Sequence, residues 1–583
     1  MTTLTLHQVL SGAELGLDWG LSDLLLVELS ERTVLYGLSR IDGALIELTV
    51  HPPGNLAFDD SLSLSGTFQV GIDPSIAWFE GDILISGREA EDNQIVETNT
   101  AGSLSALASD SALGTLSSAA EAGAYVIAAG QSSDEINVFQ KSGQSFVWID
   151  GLADNASTYL QDVADIETFS IGLNHYAAVA SRAESGVSVL QLDALGNLSV
   201  SAQIGAFEGL PISALASIEV VEHFGKTHVL VASQGSSSLS SIEFLGPDTL
   251  RVKDHILDAP ETFISGATTT ASVVVNNFAF LAAGGAEAGI SLFSVLPNGE
   301  IFHLASIADN ESATLLRPTA LSISANADSL NLFVGSTWEA GLTRLTYDLS
   351  TLGAVMVASG GTILGTSGDD QVVGSDTADA ISGDSGNDII VDGQGSDLLS
   401  GGPGEDTFIF VADSQPDTIM DFQLGVDRLD LSRFDFLNDV SQIEVVSTSN
   451  GAILSFANEE ITITTNDGSG LSFGDFTNEN TLNADRPPLL QVNQVLNGGS
   501  ANDILNGGAG NDTISGFGGA DDLAGGEGLD LLIGAEGADT LNGDAGDDVI
   551  QGDGGADLLI GGDGDDHLEG GFDGDLIYGD AIL

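Results

Sequence analysis

Aspartate recurs every nine residues through two stretches of this chain, and that period constrains the fold more than any other feature. Asp370, Asp379, Asp388, Asp397 and Asp406 keep one register. Asp503, Asp512, Asp521, Asp530, Asp539, Asp548, Asp557, Asp566 and Asp575 keep another. Two positions after each stands an apolar residue, from Val372 and Ile381 in the first stretch to Leu568 and Ile577 in the second. Glycine usually stands five and two positions before the aspartate, as in Gly507-Gly508-Ala509-Gly510-Asn511-Asp512. A nine-residue unit with one inward apolar residue cannot bury a core alone, but stacked units can, so the period implies a solenoid. Two units make one coil, with a short strand on each of two opposite faces and the apolar residues between them. Glycine opens left-handed backbone conformations to the turns. The tight turns then aim main-chain carbonyls and the aspartate carboxylate at one point between neighbouring coils. Hard oxygen donors without sulfur or imidazole select calcium.

The charge balance agrees. Against 86 Asp+Glu there are 13 Lys+Arg, for a formal net charge of −73. From Pro487 to Leu583 there is no lysine or arginine. A metal-free array should therefore repel itself, and cation binding becomes folding free energy. Without calcium, a disordered Gly/Asp-rich tail is the expected state. The same field repels phosphate, so nucleic acid is not expected as a partner.

The unit Gly-Gly-x-Gly-x-Asp-x-apolar-x resembles the RTX nonapeptide of exported bacterial proteins, over residues 365–410 and 498–580. The resemblance implies a parallel β-roll in which the sixth-position aspartates listed above bind Ca2+, with turn carbonyls completing each shell. Some units depart from it. Thr377 and Ala501 replace a fourth-position glycine, Asp392 a first, and Phe517 and Ala535 a second. After the first array, Asp417-Thr418-Ile419-Met420-Asp421-Phe422 opens a segment with strands at Ala452–Phe456 and Ile461–Thr464. It resembles the cap that closes the roll in serralysin-type exported proteases, and a solenoid end needs such a cap over its strand edges. The protease chemistry does not follow: no histidine begins an H-E-x-x-H helix, and there is no G-x-S-x-G elbow.

RTX proteins typically leave the cell by type I secretion, so the resemblance implies an extracellular protein and the type I machinery as a partner. The ending Asp580-Ala581-Ile582-Leu583 is similar to that of several type I substrates. Met1-Thr2-Thr3-Leu4-Thr5-Leu6-His7 does not read as a Sec signal peptide, and no run of 18 apolar residues predicts a membrane span. The absence of cysteine suits export.

The first 360 residues differ. Short apolar strands recur there at roughly 42–54 residues, within the range of propeller blades. The clearest copy is Phe278–Gly284, then Gly289–Val295, then the turn Pro297-Asn298-Gly299. Similar copies centre on Val34–Ser39, Ile83–Gly87, Tyr125–Gly130, Tyr176–Ser181, His228–Ser233 and Leu332–Gly335, the last with Thr351-Leu352-Gly353 as its turn. They predict a seven-bladed β-propeller, with Thr3–Val9 completing the last blade. Six or eight blades, a β-sandwich pair or a further solenoid are the alternatives. The blade pattern resembles YVTN and lactonase-like propellers.

The chain thus reads as all-β: a propeller (1–358), a first roll (359–415), a cap (416–480), a linker (481–495) and a second roll with a secretion tail (496–583). In lactonase-like propellers the funnel holds His, Arg or acidic metal ligands. Candidates of those types are His175, His223, His228, Arg182, Arg344, Asp162, Asp165 and Glu167. Each has an ordinary packing or surface role as its simpler account, and none is read as catalytic. The expected function is a secreted, non-enzymatic calcium-binding protein whose propeller meets a cell-surface or matrix ligand. The alternative is a secreted lactonase-like hydrolase that uses the rolls for export and calcium-triggered folding.

Overall fold

The computed structural model describes residues 3–579, apart from 30–31, 65–71, 80–81, 89–93, 99–103, 107–112, 114–115, 131–133, 143–144, 156–157, 206–208, 248, 311–312, 435, 484–485, 487–494, 500–501, 547, 563, 565 and 573. The sequence also places turns at Ala101–Ser103, with the copy Ile83–Gly87, and at Ser142–Gln144, with Tyr125–Gly130; these turns, most of the expected linker and the tail Asp580–Leu583 lie wholly or partly outside the described residues. The chain divides into two compact units, one holding most of residues 1–488 and the other residues 489–583 with two short upstream segments. No helix among the described residues is long and apolar enough to cross a membrane.

Seven four-stranded antiparallel sheets follow one another up to Asp348 among the described residues. The innermost strands pack around a ring, from Asp23–Glu28 through Leu116–Ala122 and Val163–Ile171 to Pro318–Ala325, which returns to the first. Each copy found in the sequence is the second strand of a blade. Those strands lie between neighbouring blades and bury both faces, so they read as unbroken apolar runs; all seven residues of Phe278–Gly284 are buried.

The ring closes as expected. Thr5–Ser11 pairs antiparallel with Gly341–Asp348 and supplies the outer strand of the last blade. Beside this seam lies Arg344, the largest fully buried side chain. It donates to Asn331 Oδ1 at 3.0 and 2.6 Å, to Asn55 Oδ1 at 2.9 Å and to the Pro53 carbonyl at 2.7 Å. Arg344 therefore ties the last blade to the Pro53–Asn55 turn of the first and does not serve the funnel. Gly54 in that turn has φ +116, and a Cβ there would stand 2.3 Å from Asn331 Oδ1, so the strap requires glycine.

The turn expected at Thr351–Gly353 belongs elsewhere. Leu352–Val357 pairs in parallel with Asp369–Val373, so this strand begins the first solenoid and not the end of a blade. From there the apolar residues stack in 18-residue steps: Val372 on Ile390 on Phe408 in one sheet, Ile381 on Leu399 in the other. All five are buried between the sheets. The second sheet then runs through Pro416–Phe422 to Glu459–Thr465, after which Gly451–Phe456 and Glu444–Thr448 pair antiparallel and end the stack.

The first solenoid shares a core with the propeller: Val373, Val391 and Ile409 pack on Leu296 and Phe302. Beside it, Arg486 meets Asp254 at 3.1 Å and Asp430 at 3.6 Å, while Arg433 meets Glu300 at 2.9 Å. Arg486 lies in the stretch expected to be a linker, yet it is almost fully buried. In the second unit, two five-stranded parallel sheets repeat the 18-residue register, and Ile514, Leu523, Leu532, Leu541, Ile550 and Leu559 are fully buried between them.

Replacing Arg344 with methionine should destabilise the propeller by about 3 kcal/mol, because it strands the buried Asn331 amide oxygen and cuts the strap to Asn55 and Pro53. Denaturant unfolding of the full chain in calcium measures this. A loss within experimental error would remove Arg344 as the strap of the ring.

Candidate metal centre

The nine-residue aspartates form a ladder along each roll. In the first, the N–H of Asp370 donates to Asp388 Oδ1 at 2.8 Å, Asp379 to Asp397 at 2.6 Å and Asp388 to Asp406 at 2.9 Å. In the second, the same bond runs from Asp503 to Asp521, Asp512 to Asp530, Asp521 to Asp539, Asp530 to Asp548, Asp539 to Asp557, Asp548 to Asp566 and Asp557 to Asp575, at 2.7–3.1 Å. Each bond fixes one carboxylate oxygen and directs the other into the turn. Among the described groups, the Oδ2 atoms of Asp388, Asp397, Asp406, Asp521, Asp530, Asp539 and Asp548 are buried without a hydrogen-bond partner. A buried carboxylate oxygen left in this way is costly unless a cation meets it.

The turns are built to bring backbone close to that oxygen. Fourth-position glycines such as Gly510, Gly519 and Gly546 have φ between +123 and +137. The substituted second positions keep the left-handed backbone without glycine: Phe517 has φ +67 and Ala535 +73. These departures therefore leave the turn geometry intact.

Three rungs differ. Asp379 Oδ2 accepts from the N–H and hydroxyl of Ser375 at 2.7 and 2.8 Å, and Thr377 holds the nearby fourth position. Asp370 accepts from the Thr366 N–H at 2.5 Å and the Thr366 hydroxyl at 2.8 Å. Asp503 Oδ2 accepts from the Gly499 N–H at 2.6 Å. At these three rungs protein donors already meet the carboxylates.

The ladder also runs further than the period. Asp397 N–H donates to Asp417 Oδ1 at 2.9 Å, and Asp406 N–H to Asp427 Oδ1 at 3.2 Å. Asp417 and Asp427 stand 20 and 21 residues on, so a strict nine-residue period misses them. Burial, reinforced by neighbouring carboxylates, pushes Asp388 and Asp417 up to about 7, Asp406 to about 8, Asp548 to about 7 and Asp397 and Asp530 to about 6. With no cation present, these groups resist ionising together.

The propeller holds a second acidic site. The innermost strands line a central channel of about 1020 Å³ that carries Asp23, Glu121, Asp165, Glu167 and Glu219. Asp23 accepts the N–H of Ile76 at 2.7 Å, and Asp165 that of Ile218 at 3.1 Å, so each bonds the next blade's inner strand. Glu219 accepts from the Ser272 hydroxyl at 2.8 Å. Burial pushes Asp23 and Glu219 up to about 7 and Asp165 to about 6. Glu167 is pushed well up by burial and then by Glu219 and Asp165. Arg182 lies at the channel wall, and its guanidinium stands 3.4 Å from Asp162.

The histidines are elsewhere. His175 bonds the Ser170 hydroxyl at 2.8 Å, and His223 bonds the Val295 carbonyl at 3.0 Å. His228 is fully buried, and burial pushes it down to about 3, so its ring is neutral. Of the funnel candidates, only Asp165, Glu167 and Arg182 face the channel.

Residues 352–477 match the family described as Peptidase M10 serralysin C terminal. Four overlapping copies of the RTX calcium-binding nonapeptide repeat cover 497–532, 525–559, 533–568 and 551–581. The chain thus carries a serralysin-type C-terminal segment and calcium-binding RTX repeats behind a seven-bladed propeller. No curated protein matches it. Solved structures similar to it include BBS1N in complex with ARL6DN, soaked with mercury, at 10% identity, covering 60% of this chain and 98% of that one, with a TM-score of 0.41. A functionally unknown protein from Desulfotomaculum acetoxidans is 13% identical over 55% of this chain and 94% of its own, with a TM-score of 0.38. A protein from Lactobacillus plantarum is 15% identical over 52% and 94%, with a TM-score of 0.37.

The channel carboxyls set a pH dependence. The folded pKa values of Asp23, Asp165, Glu167 and Glu219 exceed those of the unfolded chain, so the folded state keeps protons that the unfolded chain has released. Stability contributed by these groups is therefore lost as pH rises from the ordinary carboxylate range, about 4, to about 7. In saturating calcium, the melting temperature of Glu167→Gln/Glu219→Gln relative to wild type should rise between about pH 5 and about pH 7.5. A difference that stays constant across that range would contradict the assignment.

Proposed function

We propose that this is an exported calcium-binding protein whose rolls bind Ca2+ between successive aspartate rungs and whose propeller serves binding or surface display without catalysis. The observation that carries this reading is the set of buried Oδ2 atoms without partners on Asp388, Asp397, Asp406, Asp521, Asp530, Asp539 and Asp548, beside left-handed glycine turns. The proposed side-chain ligands are Asp388, Asp397 and Asp406 in the first roll and Asp503 through Asp575 in the second. Asp370 and Asp379 belong to the same set, with the Thr366 and Ser375 hydroxyls already on their carboxylates. The proposed modules are a propeller ending before Leu352, a first roll from there, a cap over 416–480 and a second roll over 496–583.

The mechanism is electrostatic. Without calcium, carboxylates 18 residues apart face one another with no cation between them, and the chain stays open. Cytosolic calcium is low, so an open chain can thread the type I machinery. Outside, calcium at about 10⁻⁴–10⁻³ M is enough for extracellular modules of this kind. Paired carboxylates of successive rungs would hold the ion there, and the charge it supplies would let the apolar rows Val372–Phe408 and Ile514–Leu559 close.

One observation favours a second reading, a lactonase-like hydrolase: Asp165, Glu167 and Glu219 converge in the channel. Against it, Asp23 and Asp165 already bond backbone of the next blade, and no histidine candidate faces the channel. Lactone and ester hydrolysis by the full chain, with and without Glu167→Gln/Glu219→Gln, separates the two. Turnover lost in that variant would establish the hydrolase, and its absence across a broad panel supports the binding role.

Chelation by EDTA should unfold residues 496–580 and leave most of the propeller strand signal, as read by circular dichroism and hydrogen exchange. An unchanged spectrum would sink the calcium-folding mechanism. Asp539 and Asp557 are consecutive rungs, so replacing both with asparagine should lower calorimetric stoichiometry by about one site. An unaltered stoichiometry would show that the rungs do not share an ion.

A further inference from the structure

Five positions before each of the fourteen aspartates of the nine-residue period the residue is glycine, with one exception, Asp392. The glycine has a physical reason. A Cβ at Gly383 would stand 2.0 Å from Asp388 Oδ2, at Gly401 2.1 Å from Asp406 Oδ2, and at Gly561 2.3 Å from Asp566 Oδ2. This position thus looks directly at the free oxygen of the rung. At residue 392 the chain places a carboxylate there.

The result is a cluster unlike any other rung. Asp392, Asp397 and Asp417 are 1%, 3% and 4% exposed, and one carboxylate oxygen of each lies within 4.8 Å of the other two. Asp392 Oδ1 accepts from Gly393 N–H at 2.7 Å and from Val411 N–H at 2.9 Å. Asp397 Oδ1 accepts from Asp379 N–H at 2.6 Å, and Asp417 Oδ1 from Asp397 N–H at 2.9 Å. Asp397 Oδ2 is buried in the cluster without a partner. The charged neighbours that act on Asp397 and Asp417 are themselves acidic, Asp413 and Glu459 among them.

We propose that at the rung of Asp397 the added carboxylate of Asp392 turns an ordinary repeat site into a three-carboxylate divalent-cation site, Asp392, Asp397 and Asp417, that locks the first roll to its cap. The proposal rests on the calcium-binding reading of the rolls. Three carboxylates on one ion exceed the two that a rung pair supplies, and in calcium sites ligand charge count raises affinity. The ligands come from both sides of a junction: Asp392 and Asp397 from the roll, Asp417 from the first cap strand, Pro416–Phe422. An ion here crosslinks the two, so this site fills first and empties last. A formal charge of −3 also favours a trivalent lanthanide over calcium more strongly than an ordinary rung does.

Two substitutions in the full chain test it. Asp392→Asn keeps an Oδ1 acceptor for Gly393 and Val411 and removes the charge. Asp392→Gly restores the residue that every other unit has. Calcium titration by calorimetry with a competing chelator should give wild type one site about tenfold tighter than the rest. Both variants should lose that tight class, while Asp539→Asn keeps it. Terbium titration of wild type should fill one equivalent before the remainder. A tight class that persists in both variants, or a single uniform class with no early terbium equivalent in wild type, overturns the proposal while leaving calcium binding intact. No calcium binding by wild type would instead overturn the reading beneath it.

Discussion

One contact repeats through both rolls: the N–H of an aspartate donating to Oδ1 of the aspartate one coil later. It is a charge-assisted bond worth about 1.5–3 kcal/mol when its acceptor is ionised. It does two things at once. It sets the register, so that Val372, Ile390 and Phe408 stack in a column. It also spends only one oxygen of each carboxylate and leaves the other facing the turn. A solenoid held by this contact is incomplete by construction, because the contact that orders the coils concentrates negative charge inside them.

The first roll and the second resolve that problem differently. The first unit has cations at its margin: Arg433 and Arg486 sit among Asp254, Glu300 and Asp430, where the cap meets the propeller. The two arginines hold Asp254 below the usual carboxylate range even though burial pushes it up. Hydroxyls of Thr366 and Ser375 also meet two of its rungs. The second array has no lysine or arginine of its own and few such substitutes. Dependence on an external cation should accordingly be sharper there.

The sequence made the rolls legible because every unit occupies the same environment, so one spacing carries both core and site. The blades were legible through their second strands, which are buried on both faces and read as continuous apolar runs. Of the channel carboxylates, Asp165 and Glu167 were legible as funnel candidates, while Asp23 and Glu219 were not. Glu219 sits at an ordinary alternating position of its strand, and only packing of the neighbouring inner strands Val163–Ile171 and Leu215–His223 brings it, 52 residues on, to the wall that carries Glu167. Asp417 and Asp427 escaped because the cap stretches the rung spacing. Asp392 was noticed as a missing glycine and read as a defect; its meaning depends on where a side chain at that position points. Arg486 looked like linker because its partners lie more than fifty residues away in sequence.

The strand Thr5–Ser11 closes a ring whose other edge, Gly341–Asp348, is made some 330 residues later. During synthesis, Thr5–Ser11 thus waits for a partner strand made long after it. The entropy of closing so long a loop grows only slowly with its length, but the wait does not shorten. Until then the last blade lacks its outer strand and the row of backbone donors and acceptors on Gly341–Asp348 has no partner. The clasp works as a record of completeness: the ring shuts only when both of its ends are present together.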